Sequence, residues 1–275
     1  MKTILITGCS SGIGQCVAHG LRERGYRVFA TARKLEDVAI LQQNGFEAHL
    51  LDLDDSASIR RAVEWTVQLT GGTLDALFNN GAYGQPGAVE DISREALRAQ
   101  FETNLFGTHE LTRLVLPIMR RQGYGRVIQN SSVLGFVALP YRGAYVASKF
   151  ALEGLTETLR LEWRGTGIYF SLIEPGPINT LFRKNATLAF QKHVEISTSV
   201  HQEAYRAMEA QFQQQAHQGG ARFSLPPEAV LKKVIHALES RRPKVRYGVT
   251  FPTHVFAILR RLLPHRALDH LLAMV

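Results

Sequence analysis

The sequence predicts an α/β fold: a doubly wound parallel sheet of about seven strands, helices on both faces, and a helical extension at the C-terminus. Three observations predict it. Short runs rich in β-branched and aromatic residues alternate with longer helix-like stretches, a glycine-rich turn joins the first run to the first helix, and no linker or repeat interrupts the chain. With 275 residues, 45% of them hydrophobic, the chain can bury a core of ordinary size in a single domain.

The strands are expected at 3–7, 26–31, 46–51, 74–79, 126–131 and 168–173, with a seventh near 245–247. The first run, Ile4-Leu5-Ile6, leads through Thr7-Gly8-Cys9-Ser10-Ser11-Gly12-Ile13-Gly14 into a helix over 15–24. Gly8 and Gly12 permit backbone angles and close approaches that a β-carbon blocks, and Gly14 lets the helix lie close to the strand. Such a turn holds a pyrophosphate with free N–H groups and the positive end of the helix dipole. The glutamine-rich stretch 211–220 reads as a helix end running into a flexible connection.

Tyr145 and Lys149 describe a proton-transfer site. A free tyrosine has a pKa of about 10 and exchanges protons poorly at neutral pH, so a tyrosine acid needs a nearby cation to stabilise its phenolate. Spaced four apart on a helix, the two side chains share one face. Ser132 lies thirteen positions before the tyrosine.

With Asp52 after the third strand, Asn79-Asn80-Gly81-Ala82 after the fourth, Asn104, and Pro175-Gly176 followed by Thr180, these stretches resemble the short-chain dehydrogenase/reductase family. The segments 9–14, 147–154 and 172–177 are most similar to its hydroxysteroid and retinol dehydrogenase branch and to bacterial NADP-dependent aldehyde reductases. The resemblance implies a Rossmann-type catalytic domain over 1–250, with a substrate loop at 181–225 and an amphipathic extension at 251–275. It also implies a catalytic set of Asn104, Ser132, Tyr145 and Lys149. Tyr145 would be the acid/base and Ser132 would orient the carbonyl. Lys149 would lower the tyrosine pKa and bind the nicotinamide ribose, and Asn104 would hold a water that links the lysine to solvent. The cofactor would be held by Gly8, Ser10, Ser11, Gly12, Ile13, Gly14, Asp52, Asn79, Asn80 and Gly81 on one side, and by Tyr145, Lys149, Pro175, Gly176, Ile178 and Thr180 around the nicotinamide. One departure stands out: the family usually has Asn-Asn-Ala-Gly where this chain has Gly81 and Ala82 exchanged, so Ala82 must find a tolerated conformation or shift the loop.

The end of the second strand decides the expected cofactor. A carboxylate there grips the ribose hydroxyl of NAD and repels the extra phosphate of NADP. This chain offers Arg33 and Lys34 instead; Arg33 can pair with a phosphate in a bidentate fork, and Ser10 and Ser11 can add hydroxyl donors, so NADP is expected. The apolar residues Leu134, Phe136, Val137, Leu139, Pro140, Tyr141, Leu181, Phe182, Leu188 and Phe190 are expected either to wall a pocket for a hydrophobic aldehyde or ketone, or to pack in the core.

The net charge of +8 is concentrated late in the chain. From 252 to 275, apolar and basic residues interleave as in an amphipathic helix broken at Pro264. Packing over the pocket or a dimer contact is its expected use, with contact to an anionic membrane surface as the alternative. No nucleic-acid recognition motif accompanies the charge. Two cysteines, Cys9 and Cys16, give neither a disulfide framework nor metal-ligand spacing, and the expectation is reduced structural thiols, no metal and a cytoplasmic enzyme. A homo-oligomer, dimer or tetramer, is implied by resemblance through the helices around 107–122 and 145–164. Two other classes stay open: a regulatory protein that senses redox state by binding NADP, and a peripheral membrane protein working through its tail.

Overall fold

The computed structural model describes residues 1–217 and 223–274. Seven strands form one parallel sheet in the order β3-β2-β1-β4-β5-β6-β7. They are β1 (Thr3–Ile6), β2 (Arg27–Ala32), β3 (Glu47–Leu50), β4 (Ala76–Asn79), β5 (Gly125–Asn130), β6 (Ile168–Glu174) and β7 (Arg246–Gly248). Every expected strand is present, and each end falls within two residues of its expected place. The order reverses between β1 and β4, which opens a crevice at the carboxyl ends of those strands.

The alternation within β1 builds the two faces. Ile4 and Ile6 join one apolar cluster with Val17, Leu21, Val230 and Val234, whereas Leu5 joins the other with Leu77, Ile59, Leu111 and Val115. The helices α1 (Gly12–Glu23), α2 (Leu35–Gln43) and α9 (Glu228–Glu239) therefore cover one face. The helices α3 (Ser56–Leu69), α5 (Thr108–Gln122) and α6 (Gly143–Glu162) cover the other. Between α4 (Arg94–Phe101) and α5, a π-helical turn spans Glu102–Gly107.

Two smaller clusters sit at the carboxyl edge of the sheet. Helices α7 (Phe182–His193) and α8 (Gln202–His217) enclose Phe190, Val194, Tyr205 and Met208 with Ala88. The tail forms α10 (Phe251–Leu262) and α11 (His265–Ala273), parted at Pro264 as expected, since proline cannot continue a helix from its predecessor. Their inner faces pack through Phe256, Leu268 and Leu272 on Phe136 and Val137. Of the stretch 211–220, expected to be a helix end running into a flexible connection, the part to His217 is helical in α8 and the rest lies outside the described residues. No helix among the described residues is long and apolar enough to cross a membrane.

Candidate active site

The loops after β1 and β4 are stitched together through Thr7. Its hydroxyl accepts hydrogen bonds from the backbone N–H groups of Asn80 and Gly81, each at 2.8 Å, while the Asn80 amide donates to the carbonyls of Thr7 and Gly8. Gly8 has φ +70°, and a β-carbon there would stand 2.9 Å from the Gly81 Cα. One at Gly14 would stand 2.1 Å from the Gly8 carbonyl oxygen. The turn and the helix behind it thus close on each other only because both residues lack side chains. The exchanged Gly81-Ala82 pair causes no strain, because positive φ among the described non-glycine residues is confined to Tyr141 and Phe223. A β-carbon at Gly81 would press on Leu53 and on the Thr7 hydroxyl, at 3.1 and 3.3 Å, and Ala82 keeps an ordinary conformation.

Ser11 caps α1 without a side-chain hydrogen bond to it, so the first N–H groups of the helix remain available to an anion. Gly12, at φ +59°, faces Thr180, whose methyl would lie 3.0 Å from a β-carbon at that position. The Thr180 hydroxyl accepts from the Phe182 N–H at 3.2 Å and so shapes the entry to α7. Ile13 and Ile178 both pack on the core beneath the turn. Arg33 follows β2 directly and is exposed. Asp52, half-buried, accepts the Asp54 N–H at 3.1 Å. Asn79 is turned elsewhere: its amide donates to the Thr112 hydroxyl on α5 at 2.9 Å, tying strand to helix. A groove of about 730 Å³ is lined by Ser11, Gly12, Cys16 and His19 on one side and by Thr180, Leu181 and Leu231 on the other. Burial pushes the Cys9 thiol up to about 12 and the Cys16 thiol up to about 11, so neither is a nucleophile at neutral pH.

At the other end of the crevice, the first turns of α6 bring Tyr145 and Lys149 to one face, and both are buried. Burial raises the Tyr145 phenol to about 12, and its hydrogen bond with Ser132 draws it only part of the way back. The Lys149 ammonium stands 5.7 Å from the centre of the tyrosine ring and donates to the Asn130 carbonyl at 2.7 Å. Burial lowers its pKa to about 8, against the opposing charge of Glu153. Burial and the Ser132 hydrogen bond are thus the two influences that set the Tyr145 phenol here, with the Lys149 ammonium beside the ring. Ser132 ends the loop after β5, with the Leu134 N–H donating to its hydroxyl at 3.1 Å. The π-helical turn carries Asn104, whose amide oxygen accepts from the Tyr83 N–H while its amide nitrogen donates to the Tyr83 carbonyl and the Ser148 hydroxyl. Phe182 sets its ring against Tyr145, with centroids 5.5 Å apart.

The structure divides the expected pocket walls. Phe182 reaches Tyr145, but Leu134, Phe136, Val137 and Leu139 pack beneath α10 and α11, and Phe190 is sealed among α7 and α8. Phe136, Val137 and Phe190 are core residues, and Leu134 and Leu139 are partly buried against that core. Three contributors were not singled out from sequence: Asn130, whose carbonyl seats Lys149; Tyr83, whose backbone holds Asn104; and the Glu153, Glu174 and Arg246 cluster. Only Glu153 carried a signal, its spacing of four residues from Lys149.

Residues 2–189 match the family model for short chain dehydrogenase. The chain belongs to the short-chain dehydrogenase family. It is 42% identical to the Escherichia coli K12 uncharacterized oxidoreductase YbbO over 271 residues, which cover 98% of this chain and 94% of that protein. It is 34% identical to human 17-beta-hydroxysteroid dehydrogenase type 1, covering 94% of this chain and 80% of that one. The NADPH-dependent 3-dehydrocapnine reductase of Ornithobacterium rhinotracheale is 31% identical, covering 98% and 95%. Among solved structures, a short-chain dehydrogenase from Streptomyces avermitilis superposes with a TM-score of 0.77 at 30% identity, over 95% of this chain and 94% of that one. A Burkholderia phymatum family member in complex with NAD shares the fold, with a TM-score of 0.79 at 23% identity over 98% and 94%. This short-chain dehydrogenase is accordingly an oxidoreductase, of a family that binds nicotinamide cofactors and acts on small molecules.

Proposed function

We propose that this short-chain dehydrogenase is an NADP-dependent oxidoreductase that interconverts hydrophobic aldehydes or ketones and their alcohols, with Tyr145 as acid/base. The observation that carries this reading is the grouping at the start of α6: the buried phenol of Tyr145, with Ser132 as its hydrogen-bond partner and the Lys149 ammonium 5.7 Å from its ring centre. In reduction, negative charge grows on the carbonyl oxygen and must meet a proton donor and a fixed hydrogen bond. Tyr145 supplies the proton and Ser132 orients the oxygen. The Lys149 ammonium stabilises the phenolate left behind, and Asn104 fixes the segment at Tyr83 and Ser148.

The cofactor site fits a dinucleotide. The cradle formed by Gly8, Gly12 and Gly14 has no room for β-carbons, and the start of α1 offers N–H groups for a pyrophosphate. Ser10, Ser11, Ile13, Asp52, Asn80 and Gly81 would complete the adenosine side; Pro175, Gly176, Ile178 and Thr180 would flank the nicotinamide. Asn79 would act one layer behind, through Thr112. A bound nicotinamide dinucleotide supplies the hydride. Exposed Arg33, where a carboxylate would select NAD, favours NADP, and the NADPH-dependent relative is consistent with that choice. The apolar surroundings of Tyr145, Phe182 among them, favour an apolar carbonyl and support a carbonyl or aldehyde reductase. Exposed Phe150, Leu155 and Leu161 on α6 support a homo-oligomer through that helix. NADPH oxidation against aliphatic, aromatic, retinoid and steroid carbonyls, with NADH as control, tests the proposal. Tyr145-dependent turnover supports it, and tight NADPH binding without turnover of any class counts against it.

A further inference from the structure

Arg246, on β7, reaches across the end of β6 into a group of carboxylates. Its Nη1 pairs with Glu153 and Glu174, and its Nη2 pairs with Glu157 at 2.8 Å. The Glu153 and Glu174 side chains are only 5% and 6% exposed. Two carboxylates at one buried point repel each other, and burying any charge carries a desolvation penalty. Apolar residues of the same volume would hold these strands together at lower cost, so stability alone does not account for the cluster.

Each of the two buried carboxylates is one step from a reactive segment. The second oxygen of Glu153 accepts the Ser131 hydroxyl at 2.7 Å, and Ser131 is joined directly to Ser132. Glu153 also lies one helical turn after Lys149 on the same face of α6. Glu174 precedes Pro175, whose carbonyl accepts the Val133 N–H at 2.8 Å, on the other flank of Ser132. Gly135 makes the arrangement possible, since a β-carbon there would stand 2.5 Å from both the Glu153 oxygen and the Ser131 hydroxyl.

We propose that Arg246, Glu153 and Glu174 form a positioning centre for the catalytic site. Arg246 fixes the two carboxylates, Glu153 holds the Ser132 segment through Ser131 and sets a negative charge one turn from Lys149, and Glu174 anchors the Pro175-Gly176 loop. The inference rests on the carbonyl-reducing reading of the same site. The charged groups around the cluster are Lys149 and Glu157 from α6, Glu174 from β6 and Arg246 from β7, with Arg160 and Arg260 acting on Glu157. Consistent with that setting, burial lowers Lys149 to about 8 while the Glu153 charge opposes the fall. Burial and the Glu153 charge raise Glu174 to about 7, against the pull of Arg246.

The test uses the full chain with NADPH and a carbonyl that the wild type turns over in a Tyr145-dependent way. Glu153→Gln keeps the shape and removes the charge. The midpoint of the alkaline limb of its kcat profile should fall by about one pH unit, with NADPH affinity within about twofold of wild type. Arg246→Met should lose about 100-fold in kcat with a smaller change in KM, and Arg246→Lys should recover about tenfold of that loss. An unmoved pH profile in Glu153→Gln overturns the proposal, as does an Arg246→Lys enzyme no better than a folded Arg246→Met. If Arg246→Met does not fold, Glu153→Gln and Arg246→Lys decide the matter, the latter against wild type. A wild type with no Tyr145-dependent turnover sinks the carbonyl-reducing reading and this inference with it, whereas failure of the variants in an active enzyme sinks this inference alone.

Discussion

Phe182 covers Tyr145. The two rings meet edge to face with centroids 5.5 Å apart, leaving the tyrosine 8% exposed, and Gly84 makes room, since a β-carbon there would stand 3.0 Å from the Phe182 ring. A substrate that reaches the phenol must replace or share that contact, so Phe182 is expected to set affinity for the apolar part of the carbonyl. An aromatic contact of this kind contributes about 1 kcal/mol, and Phe182→Ala should raise KM for an apolar aldehyde roughly five- to tenfold. Steady-state kinetics check this; an unchanged KM alongside an unchanged kcat would exclude Phe182 from the pocket.

Tyr145→Phe removes one oxygen from a buried site whose other contacts stay in place. A positioned general acid contributes about 10²- to 10⁴-fold, and turnover should fall by at least that much while NADPH affinity, read by fluorescence, stays within about twofold. Residual activity within tenfold of wild type would assign the proton to another group.

The sheet was legible in the sequence because its central strands are short apolar runs bounded by glycine or asparagine turns, and β1 alternates between two cores. The tyrosine and lysine pair was legible because helical spacing is local. What sequence could not separate was Phe136 from Phe182: both are apolar and near the reactive residues, but whether such a residue walls a pocket or fills a core depends on the tail helices folding back over 133–139. The Arg246 cluster was hidden for the same reason, since its members lie 72 and 93 positions apart. Asn79 and Asn80 are adjacent and chemically identical, and only strand alternation sends one to Thr112 and the other to the glycine turn.

Arg33 stands exposed at the carboxyl end of β2, where charge selects between the two dinucleotides. If Arg33 holds the NADP phosphate as proposed, Arg33→Asp exchanges that partner for a carboxylate that repels phosphate and accepts from a ribose hydroxyl. The ratio of kcat/KM for NADPH to that for NADH should fall by about 100-fold or more. A ratio unchanged by the substitution would remove Arg33 from the cofactor site.

The burial of Lys149 sets stability against its proposed catalytic role. Its pKa is lowered by burial from an ordinary 10.5 to about 8, so the folded state disfavours the ammonium. For a group depressed on folding, the associated stability is present above the unfolded value and is lost as pH falls through the folded one. At pH 7 the wild type therefore carries the cost of a buried charge that it sheds between about 8 and 10.5. Lys149→Met should abolish turnover yet show a Tm at pH 7 no lower than wild type, with any advantage shrinking as pH rises toward 10. The same titration should make the reductive rate of the wild type fall as pH rises through about 8, because the neutral amine no longer stabilises the phenolate. Thermal unfolding of both proteins from pH 6 to 10, beside a kcat profile of the wild type, measures each effect. A marked loss of Tm in Lys149→Met at pH 7 would show that the bond to the Asn130 carbonyl outweighs the desolvation of the charge.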